Sequence, residues 1–429
     1  MQFSSLNEWL GWLETCHPQE IDLGLERIRV IAQALQLLNP TARVVTVGGT
    51  NGKGSCVAAT AALLQSTGLR VGVYTSPHLL HYCERICVNG VKATEAEVCE
   101  AFEKIYLACG SVSLTYFEFG TLAALEIFRS RQVDVMVLEV GLGGRLDAVN
   151  ILNPDVAVIT SIDLDHQDWL GNDRESIGQE KAGIMRSHKP VVCADPMPPK
   201  TVVATAQHVS AQWHGVNETF GFSAGQAYWD WWGLNPAGQR IELDGLPLPV
   251  LPLPSLAAAL QVVNLLGLDP GKIECGELLA NLELPGRFQQ LHYQNHHFIL
   301  DVAHNPAATQ YLARRLQAQN FPGRIIGIVA MMADKDRSNS LGNLTHLINA
   351  WYLADLSWLP RAATPDQLAQ DLQQLTVPIV GRGTVAECIG QALAVAQAED
   401  RIVIFGSFYT VAAALAVMQP SETEQGSQQ

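Results

Sequence analysis

The chain is poor in charge, poorer still in basic residues, and has no long apolar run. Charged residues make up only 16% of its 429 positions, and 27 Lys and Arg stand against 42 Asp and Glu, a formal net charge of −15. Without a Lys/Arg cluster to neutralise phosphates, nucleic acid is excluded as a partner, although small anions need only a few local positive groups. No uninterrupted apolar stretch reaches the roughly 18 residues of a membrane-spanning helix. The first residues, Met1-Gln2-Phe3-Ser4-Ser5-Leu6-Asn7-Glu8, lack the basic stretch and apolar core of a signal peptide, so a soluble, cytoplasmic protein with no membrane partner is expected. Paired cysteines are missing too. The nine thiols include no CxxC, and the nearest spacing, Cys83-x-x-x-Cys87, is a weak metal or redox signal that buried thiols explain equally well. What is abundant is apolar material, 48% of the chain, enough for the cores of two or three domains.

That material is arranged as alternating strand and helix patterns. Arg43 to Val47, Val71 to Tyr74, Val133 to Glu139 and Val156 to Ile162 read as buried strands, with Pro190 to Cys193 a further candidate and a helix over Ser55 to Ser66. Apolar runs separated by helices describe a parallel α/β sheet. The texture changes over Phe220 to Pro254, where Trp229, Trp231 and Trp232 precede Pro247, Pro249, Pro252 and Pro254. Such a segment is neither regular helix nor central strand, and short β-structure leading to a connector is expected. The tryptophans read as ordinary packing in preference to a ring-stacking site. Helical texture returns over 255–266 and 275–282. Alternation then restarts with Phe298 to Asp301, a helix around 307–318, and strands over 324–329, 350–353 and 401–405. A boundary is expected at the turn-prone Pro285-Gly286, giving domains 1–285 and 286–420 and a frayed tail 421–429.

The strongest chemical signal is Gly49-Thr50-Asn51-Gly52-Lys53-Gly54-Ser55 between a strand and a helix. Glycines let backbone amides converge on an anion, the helix N-terminus adds a favourable dipole, and Lys53 adds mobile charge. The strict P-loop pattern fails at two positions, Val47 and Gly54, and a plain glycine-rich turn is the alternative. Glu139 ends a strand and runs into Gly141-Leu142-Gly143-Gly144-Arg145-Leu146-Asp147, a place suited to holding Mg²⁺ directly or through water. Asp163-Leu164-Asp165-His166 follows the next strand; His166 is either a metal ligand or a packed histidine. Ser76, in Thr75-Ser76-Pro77-His78, offers a hydroxyl ligand or is a turn serine. Glu180-Lys181-Ala182-Gly183 alone reads as a solvated ion pair. Farther on, Asp301-Val302-Ala303-His304-Asn305-Pro306 places an acid and a histidine in a strand–helix loop, where polar groups often face a ligand. Arg287, Lys335, Asp336 and Ser407 also sit at loop ends.

In this order the segments resemble the folylpolyglutamate synthase and dihydrofolate synthase family, within the Mur-type ATP-dependent amide ligases. The loop at 49–55, Thr75-Ser76-Pro77-His78-Leu79, the 138–147 run, Asp163-Leu164-Asp165-His166, Glu180 to Ile184, Pro285-Gly286-Arg287-Phe288 and Asp301 to Pro306 all match, spanning 21–407. The resemblance implies an α/β fold with a P-loop NTPase-type N-terminal domain and a smaller Rossmann-like α/β C-terminal domain. It implies ATP on Thr50, Asn51, Gly52, Lys53, Gly54 and Ser55, with further contacts from Ser255, Arg287 and Asp301. Ser76, Glu139 and His166 resemble the family's Mg²⁺ ligands, two ions being expected, and Lys181 matches a lysine that is carbamylated in family members. Glu20, Ile21, Asp22 and Leu23, Thr115, Tyr116, Phe117 and Glu118, and Leu146, Asp147 and Ala148 look like the pterin-binding stretches of bifunctional members, which accept dihydropteroate as well as reduced folates. His304 and Ser407 are expected to hold L-glutamate. One departure is Ser255, where the family pattern commonly has asparagine; serine reaches less far and has one fewer donor.

The implied reaction is ATP-dependent attachment of L-glutamate to a pteroyl carboxylate by a monomeric enzyme, with Lys53, Lys181 and His304 as its catalytic residues. A monofunctional folylpolyglutamate synthase and another Mur-type amide ligase are the alternatives. Mur ligases acting on cell-wall nucleotides usually carry an additional domain ahead of the loop, which here begins at Gly49. A nucleotide-dependent switch that makes no bond would leave the second α/β domain and its Asp301/His304 loop without a role.

Overall fold

The computed structural model describes residues 3–272, 274–375 and 377–418. The expected tail 421–429 lies outside them. The chain divides into two compact units, Met1–Leu282 and Glu283–Gln429.

The first unit is built on an eight-stranded sheet. In chain order its strands are β1 (Arg43–Gly48), β2 (Val71–Tyr74), β3 (Ile86–Val88), β4 (Val91–Lys92), β5 (Val135–Glu139), β6 (Val156–Ile159), β7 (Pro190–Cys193) and β8 (Gln212–Gly215), and their spatial order is β4-β3-β2-β5-β1-β6-β7-β8. All pairings are parallel except β2–β3 and β3–β4. The central strands are buried on both faces, as their unbroken Val, Ile and Leu content requires. Because β5 enters between β2 and β1 while β6 lies on the other side of β1, the connections diverge at the carboxyl end of β1. Ligands of open α/β sheets bind at such a switch point.

Helix Lys53–Ser66 packs against β1, β2, β5 and the helix Leu253–Leu265. Ser255 to Asn264 of that second helix are all buried, so it is a core element without a solvent stripe. The proline-rich stretch forms a three-stranded antiparallel sheet of β9 (Phe220–Ala224), β10 (Tyr228–Leu234) and β11 (Arg240–Pro247), in the order β11-β10-β9. Pro247 ends an edge strand and Pro254 lies in a first helical turn, two positions where the missing N–H costs little. Trp229 and Trp231 are buried, while the half-buried Trp232 stacks under the Arg240 guanidinium, 4.2 Å from its ring centroid. The cluster is packing, as expected.

The second unit carries a six-stranded sheet of β12 (Gln289–Tyr293), β13 (His296–Asp301), β14 (Ile325–Val329), β15 (Ile348–Asp355), β16 (Ile379–Thr384) and β17 (Arg401–Phe405), in the order β12-β13-β17-β14-β15-β16. Only β12–β13 is antiparallel. This is the smaller Rossmann-like α/β unit expected from the sequence. Among the described residues no helix is long and apolar enough to cross a membrane.

Candidate functional site

The Gly49–Ser55 loop leaves β1 and enters the helix Lys53–Ser66 at the switch point. Gly49 has φ +145°, and a Cβ there would lie 1.9 Å from the Thr160 hydroxyl; Gly52, at φ +83°, is the left-handed residue that starts the helix. The loop is held by the residues after β6. Thr50 N–H donates to the Ser161 carbonyl (2.7 Å), Asn51 N–H to Ser161 Oγ (3.0 Å), and Thr160 Oγ1 to the Asn51 carbonyl (2.7 Å). Thr50 Oγ1 bonds both the amide and the carbonyl of Asp163 (3.0 and 3.1 Å). Lys53 Nζ donates to the Gly49 and Thr50 carbonyls at 3.0 and 3.1 Å. Ser255 Oγ donates to the Gly52 carbonyl at 3.2 Å, so the serine that departs from the family pattern braces the loop backbone.

Lys181 overturns the reading of a solvated Glu180–Lys181 pair. Glu180 pairs with Arg145 at 2.8 Å, whereas Lys181 is buried and its Nζ donates to the Gly49 carbonyl at 3.0 Å, the oxygen that Lys53 also uses. The physical reason is register: one helix, Arg174–Ala182, turns Glu180 toward solvent and Lys181 inward. Burial and the neighbouring Lys53 charge push its ammonium down to about 7.

The other expected metal ligands stand at neighbouring strand ends. Register places Val47 beside Glu139 and Tyr74 beside Leu138, and the buried Glu139 carboxylate accepts the Ser76 N–H at 3.2 Å. Ser55 Oγ, fully buried in the first helical turn, makes no hydrogen bond among the described residues. An orphaned hydroxyl and a carboxylate beside an anion loop are hard oxygen donors of the kind Mg²⁺ takes, so the residues fit that ion. His166, at φ +52°, lies one residue after Asp165, with Nε2 4.0 Å from that carboxylate. Among the described residues no group of three or more His, Cys, Asp or Glu stands where it could hold a metal ion.

The three candidate pterin segments are linked to one another. Thr115 and Glu118 form a capping box on helix Tyr116–Ser130, and Arg27 joins Glu118 (3.3 Å) to Asp22 (2.7 Å). His17 bonds Asp22 at 3.2 Å, while Glu20 is exposed and Ile21 and Leu23 half-buried. The Phe117 ring lies against Gly141 and 5.8 Å from the Tyr74 centroid. Asp147 accepts the Leu142 and Val149 amides at 2.8 and 3.1 Å, and burial raises its carboxyl to about 6; Ala148 beside it is buried and Leu146 half-buried. In this arrangement Glu118 is partly a structural acid, consumed by its own helix cap.

In the second unit, Asp301 ends β13 and pairs in register with Phe405, the last residue of β17, so Ser407 lies two residues past the end of the adjacent strand. Asp301 accepts the Phe288 and Ala303 amides, both at 2.8 Å; desolvation raises its carboxyl against the opposing pull of Arg287. The Arg287 guanidinium stands 5.0 Å over the Phe408 ring. His304 Nδ1 donates to the Val302 carbonyl at 2.8 Å, so Nδ1 carries a proton. Ser407 is buried and bonds Thr410 Oγ1 at 2.6 Å at the start of helix Phe408–Met418.

With this geometry in place, two family models match: Mur ligase middle domain over residues 47–231, and Mur ligase, glutamate ligase domain, over 286–408. The dihydrofolate synthase/folylpolyglutamate synthase of Escherichia coli (strain K12) is 44% identical over 421 residues, covering 97% of this chain and 96% of that one. The chain belongs to this Mur-ligase family. Solved structures agree. E. coli FolC in complex with DHPP and ADP aligns with a TM-score of 0.90 at 42% identity, covering 97% of this chain and 98% of the other. A bifunctional folylpolyglutamate synthase/dihydrofolate synthase with Mn, AMPPNP and L-glutamate bound gives 0.87 at 43%, with the same coverage.

As a member of the dihydrofolate synthase/folylpolyglutamate synthase family, the protein is an ATP-dependent, amide-forming ligase. For such a ligase the sequence reading missed the residues that hold the loop without belonging to its motif, chiefly Thr160 and Ser161. The expected strand Val156 to Ile162 had taken them in, whereas β6 ends at Ile159 and Thr160 and Ser161 begin the segment that follows it.

Proposed function

We propose that the chain joins L-glutamate to the carboxylate of dihydropteroate, and to the terminal carboxylate of reduced folates, through an acyl phosphate made with ATP. The observation that carries this reading is the joining, within the first unit, of an anion loop, a Glu139–Ser76 pair and three connected segments around Phe117 and Asp147. A carboxylate acylates amines poorly; transfer of a phosphoryl group to its oxygen creates a leaving group, and the glutamate amine then attacks the carbonyl and expels phosphate. Lys53 and the loop amides hold the phosphates in line, which is most of what phosphoryl transfer asks of a protein. Ser255 keeps Gly52 in place, and Arg287 and Asp301 are assigned to the nucleotide. Glu20 to Leu23, Thr115 to Glu118 and Leu146 to Ala148 are assigned to the pterin, and His304 and Ser407 to glutamate.

Ser76, Glu139 and His166 would hold Mg²⁺, in two ions, with the Ser55 hydroxyl within the same donor set. When bound, the metal supplies charge neutralisation on the phosphates. Lys181, its pKa lowered to about 7, can as the neutral amine add CO₂ at Nζ and release a proton, so that a carbamate oxygen ligand stands where the ammonium stood. A monomer in the cytoplasm completes the reading.

The test is product mass after incubation with ATP, Mg²⁺ and L-glutamate, with dihydropteroate and tetrahydrofolate as separate acceptors. Gain of one glutamyl residue on both is expected. Gain on tetrahydrofolate alone leaves a folylpolyglutamate synthase and removes the dihydropteroate assignment. Gain on neither overturns the reading.

A further inference from the structure

The P-loop is held from one side by Ser161 and Asp163, and the residue between them is fastened in a way no motif describes. Both backbone groups of Ile162 end on a single ion pair. Arg174 Nε donates to the Ile162 carbonyl at 2.8 Å, and Asp195 Oδ2 accepts the Ile162 N–H at 2.8 Å. The pair closes on itself, with Arg174 Nη2 2.9 Å from Asp195 Oδ2; the same Nη2 reaches the Met197 carbonyl (3.0 Å), and Asp195 Oδ1 accepts the Met197 amide (2.9 Å). Asp195 is buried two residues beyond β7, and Arg174 opens the helix that carries Lys181 in its last turn. One ion pair therefore ties together the segment after β6, the end of β7 and the helix bearing Lys181.

We propose that Arg174 and Asp195 are positioning residues for nucleotide, holding the 161–163 backbone so that Thr50 and Asn51 keep their amides in phosphate-binding register. The proposal rests on the reading of Gly49–Ser55 as the ATP loop. Among the described residues the Thr50 N–H and Oγ1 bond only Ser161 and Asp163, so a shift of Ile162 is passed directly to them. Truncating Arg174 leaves a buried carboxylate and a carbonyl without their charged partner, an arrangement that relaxes by local rearrangement. Lysine at 174 keeps the charge but cannot bond both groups in the guanidinium's fixed geometry.

The experiment is AMPPNP binding by calorimetry in Mg²⁺ buffer, with steady-state KM values for ATP, glutamate and tetrahydrofolate, on wild type, Arg174→Met, Arg174→Lys and Asp195→Asn. Arg174→Met is expected to weaken AMPPNP about tenfold and to raise KM for ATP in parallel, the scale of one charged hydrogen bond, with the other KM values within about twofold. Arg174→Lys is expected to recover about half of that change on a logarithmic scale. Asp195→Asn, which keeps an acceptor for Ile162, covers the case in which Arg174→Met does not fold and should weaken AMPPNP by several fold, on the order of a neutral replacing a charged hydrogen bond. Unchanged nucleotide affinity in the folded variants, or an equal loss for ATP, glutamate and folate, overturns the proposal. Wild-type protein that binds no AMPPNP would instead remove the ATP-loop reading itself.

Discussion

Lys181 shows most directly how burial changes a residue's chemistry. Its ammonium titrates near 7 in the folded chain against 10.5 for an ordinary lysine. As pH falls from about 10.5 toward 7 the unfolded chain binds a proton that the folded chain does not, so stability declines across that window and is level below it. Urea unfolding in CO₂-free buffer should therefore show wild type losing stability between pH 10 and 7 relative to Lys181→Met. The same neutral amine supports carbamate formation: ¹³C-bicarbonate is expected to produce a carbamate carbon resonance that Lys181→Arg lacks. At the loop, Lys53→Ala should lower ligation by about 10²–10³-fold or more, as loss of a charge-stabilising donor does. Ser255→Ala should weaken AMPPNP by about fivefold, one neutral hydrogen bond of roughly 1 kcal/mol, measured by calorimetry. Gly49 and Lys53 were legible as candidates for anion binding from chain order alone. The resemblance named Lys181, but its burial was not legible, because nothing in Glu180-Lys181-Ala182-Gly183 says which neighbour faces the core.

At the scale of elements, helix Tyr116–Ser130 illustrates a residue with two duties. Glu118 accepts the Thr115 amide at 2.7 Å, closing the capping box, and carries the Arg27 ion pair that ties down Asp22. Glu118→Ala is expected to cost about 1–3 kcal/mol in chemical denaturation, the sum of a lost cap and an Arg left without its partner. Glu118→Gln should cost less, since glutamine still serves the N3 position of the box. Most elements were legible because their periods are clear. The Val-rich strands β1, β5 and β6 have no alternative to burial on both faces, and Pro247 and Pro254 stand where an N–H is dispensable. Pairing was less accessible: the β9–β11 sheet was readable as short β-structure, but its antiparallel partners depend on contacts made after the chain has turned.

Across the whole molecule, nucleotide linkage gives the broadest prediction. A ligand that binds only the folded state adds stability by mass action, about 2.7 kcal/mol at 100 times its Kd. Mg²⁺ with AMPPNP should raise the melting temperature, and EDTA should remove that increment while leaving the protein without nucleotide little changed, since the Glu139 carboxylate already has the Ser76 N–H as a partner without the ion. The two-unit organisation and the α/β class were written into the chain, because alternation of buried strand and helix, its interruption by prolines and its resumption after Pro285-Gly286 are local patterns that survive without coordinates. The candidate anion loop at 49–55 was visible there too, since glycine and lysine spacing carries its own chemistry. Tertiary structure alone decided that Ser255 braces Gly52, that Lys53 and Lys181 share one carbonyl, that Arg27 joins Asp22 to Glu118, and that Arg174 and Asp195 both end on Ile162. Each of these joins residues distant in sequence, and hydrogen-bond partners so far apart are set by how strands order in a sheet and how helices cross it, which no local periodicity encodes.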